Sequence, residues 1–221
     1  MRILITAGPT REALDPVRYL SNRSSGRMGY ALAGAAVACG HEVVLVSGPV
    51  SLPPVAGAEV VAVESARAMF EAVRDRLPGC EVAIFCAAVA DYRPRNPSDQ
   101  KIKKIDGIMT LELERTEDIL GSARGVFGFR GLLVGFAAET HEVRIHAREK
   151  LRRKGCDLVV SNDVSRPDTG FEALDNEVCL HYADGREEPL PRAAKTLLAE
   201  EILRRIEALL PRHDDQGTAL S

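Results

Sequence analysis

Residues 17–31, VRYLSNRSSGRMGYA, place cations, an amide and small polar groups directly before an apolar run with helical character. The free N–H groups and the positive dipole end of a helix N-terminus attract anions. Capping by Ser24 or Ser25, together with close packing of the glycines, would explain part of this composition. It would not explain Arg18 and Asn22, so the segment predicts a site for a phosphate or a carboxylate.

Two predicted strands end in small residues. The run ITAGPTRE turns at Gly8, where a glycine would let the backbone approach a phosphate. The run CAAVADYRP leaves its strand through Ala87 and Ala88 and reaches Asp91, whose carboxylate can accept hydrogen bonds from a ligand. Because open α/β folds bind ligands at the carboxyl ends of their strands, these residues predict a ligand site. An ordinary turn and a loop aspartate remain the alternatives.

Basic residues in two further segments could neutralise a polyphosphate. The run KIKK at Lys101–Lys104 would act as an arm over a triphosphate, or as a solvated charged surface. Lys150 and Lys154 are four residues apart and share one helical face, although cations near a helix C-terminus are favoured without any ligand. His141 and His146 are five residues apart, which is a poor spacing for a metal pair, and neither is expected to be catalytic, so the metal ligands stay unassigned.

The elements that must position these residues follow from the hydrophobic pattern. Short, β-branched apolar runs are typical of strands buried on both faces of a parallel sheet. Strands are predicted at 2–8, 41–48, 58–65, 81–89, 131–139 and 156–163, and helices at 26–39, 65–77, 117–124, 141–154 and 192–210. Their alternation predicts an α/β fold with a doubly wound, Rossmann-like, mostly parallel sheet.

Two segments interrupt this alternation. Residues 92–115 combine prolines, a basic run and an alternating apolar pattern, which predicts a flap, an extended arm that returns as a strand. Residues 177–190 hold two strand-like runs around Asp184–Gly185, which predicts a C-terminal β-hairpin. We therefore predict one domain over 1–211 and a disordered tail over 212–221.

The composition of the chain argues against several classes of protein. The chain has 221 residues, 45% of them hydrophobic, and a formal net charge of −3, which argues against a nucleic-acid-binding protein. The run MRILITAG is too short for a signal peptide, and no segment reaches the ~18 apolar residues of a membrane span. Five cysteines without a CxxC pair indicate reduced thiols. We expect a cytoplasmic protein that binds neither nucleic acid nor membranes.

Five motifs in this order resemble phosphopantothenate–cysteine ligase of the bacterial, CTP-dependent type. They are GPTREALDPVRYLSNRSSGRMGYALA, AAVADYRP, KIKK, GFAAET and SNDVSRPDTGF…DNEV, and the resemblance covers residues 1–210. It implies a modified Rossmann domain with a flap, a homodimer, CTP and a divalent cation, usually Mg²⁺. Phosphopantothenate and CTP would give an acyl-cytidylate and pyrophosphate, and the amine of L-cysteine would then release CMP. In many relatives a flavin-dependent decarboxylase domain precedes this one, but we expect no flavin site in this chain.

The resemblance also implies roles for individual residues. Asn22 would support conversion of the acyl-cytidylate, Lys101 would promote the first step at the triphosphate, and Arg18 would hold the substrate phosphate from its own chain or from a partner. The residues expected to bind phosphopantothenate are Arg18, Asn22, Ala87, Ala88 and Asp91. Those expected to bind the nucleotide are Gly8, Ser24, Gly26, Gly29, Asp91, Lys101, Glu117, Asp118, Ile119, Leu120, Phe136, Lys150, Lys154 and Asn162. The run GFEALDNEV departs from the glycine-containing form of the family, which weakens assignments over 171–176.

Two other functions are compatible with a Rossmann-like fold. A nicotinamide-dependent oxidoreductase would need a glycine-rich fingerprint, but no GxGxxG spacing occurs between Gly8 and Gly29. A non-catalytic nucleotide-binding module would have the same pocket without turnover, and the presence of both Asn22 and Lys101 argues against it. A ligase therefore remains the leading hypothesis.

Overall fold

The computed structural model describes residues 1–104, 106–165 and 174–210. The strands are β1 (Arg2–Ala7), β2 (Arg11–Ala13), β3 (Tyr19–Ser21), β4 (Glu42–Ser47), β5 (Ala58–Ala62), β6 (Val82–Phe85), β7 (Tyr92–Pro94), β8 (Leu113–Arg115), β9 (Leu132–Glu139), β10 (Leu158–Asp163), β11 (Asp175–Tyr182) and β12 (Glu187–Ala194). The helices are α1 (Arg27–Ala38), α2 (Ala66–Arg76), α3 (Ile119–Gly125), α4 (Val143–Lys154) and α5 (Lys195–Ala208).

Eight strands form the central sheet in the order β12-β11-β10-β9-β6-β1-β4-β5. The six strands from β10 to β5 run parallel, and β11 and β12 add an antiparallel hairpin at one edge. This confirms the predicted α/β fold with a doubly wound, mostly parallel sheet. The strand order reverses between β1 and β6, and a crevice at the carboxyl ends of the strands is expected at such a reversal.

The inner strands β1 and β6 are apolar over most of their length because helices cover both faces of the sheet there. Ile3 and Ile5 of β1 are fully buried in a cluster that includes residues of α1 and α5. Leu4 points to the other face and joins a cluster with residues of α2, α3 and α4. Alternate side chains of one strand therefore reach two separate cores, as the predicted burial on both faces requires.

Helix boundaries agree with local signals at α2 and α4. The Ser65 side chain accepts a hydrogen bond from the N–H of Ala68 at 3.1 Å, so Ser65 caps α2 as its sequence suggests. Helix α4 ends at Gly155, which has a left-handed backbone conformation. The predicted cap of α1 by Ser24 or Ser25 is wrong, because the N-cap position is Gly26, which has no side chain to accept a bond.

Helix α5 is shorter than predicted, because residues 192–194 belong to β12. Strand β11 pairs with β12 from Asp175↔Ala194 to His181↔Glu187, which extends the predicted hairpin at both ends. The first residue of α5 is therefore Lys195, at the end of an edge strand. Because β12 continues to Ala194, Lys195 lies at the crevice rather than in the interior of the helix.

The flap contains the predicted return strand. Strands β7 and β8 pair antiparallel, with Tyr92 opposite Arg115. The described residues between them have no helix or strand, and Lys101–Lys104 lie in this part of the flap. The predicted tail 212–221 lies outside the described residues. Within the described ranges, no helix is long and apolar enough to cross a membrane.

Candidate active site

A cavity of about 950 Å³ opens at the carboxyl ends of β1, β6, β9 and β10, where the strand order reverses. Most of the predicted site residues line it: Asn22, Ser24, Gly26, Gly29, Ala87, Ala88, Asp91, Glu117, Asp118, Ile119, Leu120, Phe136, Lys150, Lys154 and Asn162. We call this space the sheet-edge cavity. The fold thus brings together residues that are up to 140 positions apart in the sequence.

The start of α1 contacts the backbone at the end of β1 directly. A Cβ atom on Gly29 would lie 2.5 Å from the Cβ of Ala7. A Cβ on Gly26 would lie 2.6 Å from Val50 Cγ1 and 3.3 Å from the Cα of Gly8, and the positive φ of 76° at Gly26 also favours glycine. Gly8 is therefore beneath the sheet-edge cavity rather than in its wall. This contact places the uncovered first turn of α1 against the cavity, where its N–H groups can bind an anion.

The loop after β6 is held by hydrogen bonds to the first turn of the chain. The N–H of Ala87 donates to Thr6 Oγ1 at 3.2 Å, and the N–H of Ala88 donates to the Gly8 carbonyl at 2.9 Å. Asn22 donates from Nδ2 to the Ala88 carbonyl at 3.0 Å. Three residues of the predicted substrate site, on two different segments, are therefore held in place by hydrogen bonds.

Polar contacts at α3 and α4 order the opposite wall of the cavity. Lys154 forms an ion pair with Asp118, which caps α3 by accepting from the N–H of Gly121 at 2.9 Å. Lys150 donates to the Phe136 carbonyl at 2.5 Å, and burial lowers the pKa of Lys150. The prediction that Lys150 and Lys154 share one face is confirmed, because both line the cavity.

Glu117 lies in the same wall, next to the flap. Both of its carboxylate oxygens accept hydrogen bonds from Arg93 Nη1 at 2.9 Å. Partial burial raises the pKa of Glu117. The hydrogen bonds and the charge of the Arg93 guanidinium lower it by more, so the pKa of Glu117 lies below its ordinary value. Strand β7, which carries Arg93, is thereby tied to the cavity wall.

Arg18 and Lys101 do not line the sheet-edge cavity. They lie together in a second space of about 490 Å³, the flap cavity, with walls formed by Arg18, Lys101, Ile102, Lys103, Lys104, Gly107 and Met109. Arg18 donates to Asp15 Oδ2 from Nε at 3.0 Å and from Nη2 at 2.6 Å, and to the Ile102 carbonyl at 3.1 Å. Within one chain, Arg18 and Lys101 therefore lie in a different cavity from the predicted site residues of the sheet-edge cavity.

Asp15 organises the flap cavity. Its Oδ2 also accepts from the Ile102 N–H at 3.1 Å, and its Oδ1 accepts from the N–H groups of Val17 and Arg18. The Arg18 guanidinium and these N–H groups hold the pKa of Asp15 well below its ordinary range. One buried carboxylate thus joins the segment before α1 to the lysine-rich part of the flap.

Several cavity residues were missed by sequence reasoning, namely Arg27, Glu139, Arg153, Asn176 and Lys195. Arg27 and Arg153 stand beside predicted residues, and a charge next to the motif was an available signal. Lys195 had no such signal, since it begins an amphipathic helix far along the chain. Its side chain reaches the cavity because α5 begins directly after β12 and packs beside α1.

The turn before α4 brings together potential metal ligands. One ligand atom each of His141, Glu142 and His146 lies within 4.8 Å of the others, so the fold brings three potential ligands together although the spacing of the two histidines is a poor one for a metal pair. The reason is the left-handed conformation of Glu142, with φ 46°, which folds the chain back. Imidazole and carboxylate together suit Zn²⁺, whereas Mg²⁺ prefers oxygen ligands only.

The sheet order and the glycine-bearing contact between β1 and α1 define a Rossmann-like domain, and its cation-lined crevice has the chemistry to accept a phosphate. The model of the family "DNA/pantothenate metabolism flavoprotein C-terminal domain" matches residues 1–210, and the chain belongs to this family.

Among the relatives of this chain are two proteins named coenzyme A biosynthesis bifunctional protein CoaBC. The Bacillus subtilis protein is 50% identical over 208 residues, which are 94% of this chain and 51% of the relative. The Vibrio vulnificus (strain CMCP6) protein is 48% identical over 210 residues, which are 94% of this chain and 52% of the relative. This chain therefore spans about half the length of the curated relatives that it matches.

A solved structure supports the same assignment. The crystal structure of the C-terminal domain of coenzyme A biosynthesis bifunctional protein CoaBC is 45% identical to this chain. The match covers 94% of each chain, with a TM-score of 0.79. The fold described above is therefore that of a CoaBC C-terminal domain.

Proposed function

We propose that this chain is a phosphopantothenate–cysteine ligase that uses CTP and acts in coenzyme A biosynthesis. One observation carries the proposal: apart from Gly8 and Lys101, every residue expected to bind the nucleotide lines the sheet-edge cavity. The names of the relatives support the assignment to coenzyme A biosynthesis.

The first step joins phosphopantothenate to the nucleotide. A carboxylate oxygen of phosphopantothenate attacks the α-phosphorus of CTP, and the bond to the β-phosphate oxygen breaks. Pyrophosphate leaves with the electron pair, and an acyl-cytidylate forms. The N–H groups at the start of α1, next to Gly26 and Gly29, would bind the phosphates. Lys101 would neutralise the charge that develops on the triphosphate.

The second step forms the amide. The amine of L-cysteine attacks the acyl carbon, CMP leaves, and phosphopantothenoylcysteine results. Asn22 is held over the end of β6 by its bond to the Ala88 carbonyl, where the acyl group is expected. An amide in this position can donate a hydrogen bond to the developing oxyanion and accept one from the incoming amine.

A divalent cation fits the oxygen-rich part of the cavity. Mg²⁺ is usually held by one or two carboxylates together with substrate phosphates. The carboxylates of Asp91 and Glu139 line the cavity and would hold it there. When bound, the ion supplies positive charge that offsets the charge of the triphosphate.

The separation of the two cavities favours a homodimer. Large apolar side chains are exposed near the flap, namely Val17, Tyr19, Tyr92, Ile108, Met109, Leu111 and Leu113. An exposed apolar patch of this kind is typical of a protein interface. In the proposed dimer, Arg18 of one chain holds the phosphate of phosphopantothenate bound in its partner's sheet-edge cavity, and Lys101 reaches the triphosphate there.

The relatives are named bifunctional proteins, which supports a second enzyme as a partner of this chain. We propose that a flavin-dependent phosphopantothenoylcysteine decarboxylase acts next, as a fused or separate protein, and we assign no flavin site to this chain. The ligase product is the substrate of such an enzyme. A cytoplasmic location follows from this proposed pathway rather than from any feature of the fold.

The test follows both steps separately. The protein is incubated with phosphopantothenate, Mg²⁺ and either CTP or ATP, with and without L-cysteine, while pyrophosphate, CMP or AMP, and product are measured. We expect pyrophosphate release to require phosphopantothenate, product formation to require cysteine, and CTP to be preferred. Arg152→Gln, on the part of α4 outside the cavity, serves as a control for charge removal. Absence of pyrophosphate with both nucleotides would overturn the proposal, and nucleotide binding without turnover would favour a non-catalytic module.

A further inference from the structure

Two histidines and a glutamate meet where the chain passes from β9 to α4, and we call them the histidine cluster. His141 and Glu142 precede the helix, and His146 lies in its first turn. One ligand atom of each residue lies within 4.8 Å of the others, and the centroids of the two imidazole rings are 5.1 Å apart. The proposed function uses none of these three side chains and so does not explain their convergence.

The backbone of the cluster has an unfavourable conformation. Among the residues that the structure describes, Glu142 is the only one other than glycine with a positive φ, at 46°. A residue with a Cβ atom rarely adopts this conformation, and such residues concentrate at functional sites. The turn places His141 beside His146. A ligand held by all three side chains would offset the cost of the turn.

In both imidazole rings, Nδ1 faces an oxygen of the protein. His141 Nδ1 is 3.2 Å from Thr140 Oγ1, and His146 Nδ1 is 3.4 Å from Glu139 Oε2. His146 Nδ1 is closed to solvent and has no hydrogen-bond partner among the described residues. An ion can therefore approach Nε2 of each ring, and a histidine that binds a metal usually donates from its other nitrogen to such an oxygen.

The charges around the histidine cluster suit a cation. The positive end of the α4 dipole opposes one, but the carboxylates of Glu139 and Glu142 offset it. Arg144, the nearest cation in the sequence, is paired with Glu187. Glu139 lines the sheet-edge cavity, whereas the three residues of the cluster are not among the described residues that line it. The cluster therefore adjoins that cavity and is a separate site.

We propose that His141, Glu142 and His146 bind a divalent transition-metal ion, Zn²⁺, which fastens the start of α4 to the end of β9. Imidazole and carboxylate are common ligands of Zn²⁺, and three of them leave one position of a tetrahedral ion for water. Bonds of about 2.0–2.1 Å place the ligand atoms about 3.3 Å apart. The exposed side chains of His141 and Glu142 can close the remaining distance by rotation. Mg²⁺, which prefers oxygen ligands, is not expected to bind here.

The test titrates Zn²⁺ into chelator-treated protein by calorimetry, with Mg²⁺ in excess and no substrate present. We expect one strong Zn²⁺ site per chain. His141→Gln and His146→Gln should each weaken Zn²⁺ binding by about 100-fold or more, since loss of an outer-shell partner alone costs about 10- to 100-fold. The matched control is His41→Gln, because His41 is paired with Glu207 elsewhere in the chain, and it should bind Zn²⁺ like the wild type.

An exposed thiol is the main competitor for the ion. Cys39 is exposed, and a thiolate also binds Zn²⁺, so the same titration is made with Cys39→Ser. Wild-type affinity in this variant would support the histidine cluster. Loss of Zn²⁺ binding in Cys39→Ser, or wild-type binding in both His141→Gln and His146→Gln, would overturn the proposal. Displacement of Zn²⁺ by Mg²⁺ would overturn it as well, because the site would then consist of oxygen ligands.

Glu142→Gly separates the ligand from the backbone. Glycine adopts a φ of 46° readily, so the variant should fold although it lacks the carboxylate. Saturating Zn²⁺ should raise the Tm of the wild type and slow hydrogen exchange in the first turn of α4, and both effects should be smaller in Glu142→Gly. Equal effects in the two proteins would overturn the role of Glu142. Because no substrate is present, none of these outcomes depends on the proposed function.

Discussion

The sheet-edge cavity and the flap cavity both contain predicted functional residues, yet they are built differently. At the sheet edge, Ala87 and Ala88 are fixed by hydrogen bonds to β1 and the turn after it, and α1 lies against Ala7. In the flap cavity, Arg18 is linked to the lysine-rich segment through the Asp15 carboxylate and through its own hydrogen bond to the Ile102 carbonyl. The core therefore fixes the geometry of the sheet-edge cavity, whereas the flap cavity depends on contacts within the flap and the segment before α1, and this difference supports the proposal that the flap completes a site in another chain.

Asn22→Asp should have the largest effect on the sheet-edge cavity. It removes the donor to the Ala88 carbonyl and places a negative charge where an oxyanion develops, so product formation should fall by about 10²- to 10³-fold. Pyrophosphate release should continue, since the first step does not use this amide. Quench-flow measurement of pyrophosphate and product tests this, and normal product formation would refute the role of Asn22.

Lys101→Gln should affect the other step. Loss of one positive charge near the triphosphate should slow pyrophosphate release by about 10- to 100-fold. CMP affinity should not change, because CMP lacks the two phosphates that leave as pyrophosphate and on which the charge develops. The matched control is Arg67→Gln, an exposed charge on α2. A wild-type rate of pyrophosphate release in Lys101→Gln would remove Lys101 from the first step.

Gly29→Ala tests the close contact at the sheet edge. The new methyl group would lie 2.5 Å from the Cβ of Ala7, so α1 must shift, and the free energy of unfolding should fall by about 1–3 kcal/mol. Gly34→Ala is the control in the same helix, since no atom lies within 4 Å of its Cβ position. It should stabilise the protein by about 0.5–1 kcal/mol. Urea unfolding distinguishes them, and equal effects would contradict the contact.

Asp15→Asn should have the smallest effect and should be confined to the flap. Hydrogen exchange of Ile102 should accelerate, while the exchange of β1 stays unchanged. Because the pKa of Asp15 is held below its ordinary value of 3.8, its stabilising contribution is present above that pH and is lost as the pH falls below it. In the wild type, hydrogen exchange of Ile102 should therefore be faster at pH 3, relative to unprotected amides, than at pH 5. In Asp15→Asn this difference between the two pH values should be absent. Faster exchange throughout the central sheet would show that Asp15 supports the core instead.

Local sequence patterns predicted the sheet and the sheet-edge residues because both depend on short segments. Ile3, Leu4 and Ile5 indicate burial on both faces, and Gly26 and Gly29 indicate a close approach of helix to strand. Because the strands are parallel, their carboxyl ends lie at the same edge of the sheet. This is why motifs far apart in the sequence line one cavity.

The features that sequence reasoning missed depend on contacts between distant segments. Lys195 reaches the cavity because the strand β12 continues to Ala194, in place of a predicted helical turn. The bonds from Asp15 to the Ile102 N–H join residues 87 positions apart. His141 and His146 approach each other through the backbone conformation of Glu142, which their spacing does not reveal.

The central claim is that residues of both cavities act on one substrate across two chains, and an activity measurement on mixed variants tests it most directly. Asn22→Asp and Lys101→Gln proteins are mixed in equal amounts, allowed to exchange subunits, and assayed for phosphopantothenoylcysteine. Half of the dimers should then be mixed, and one of the two composite sites in each should be intact, which gives about a quarter of wild-type activity. Activity that stays at the mean of the two separate variants would contradict the claim.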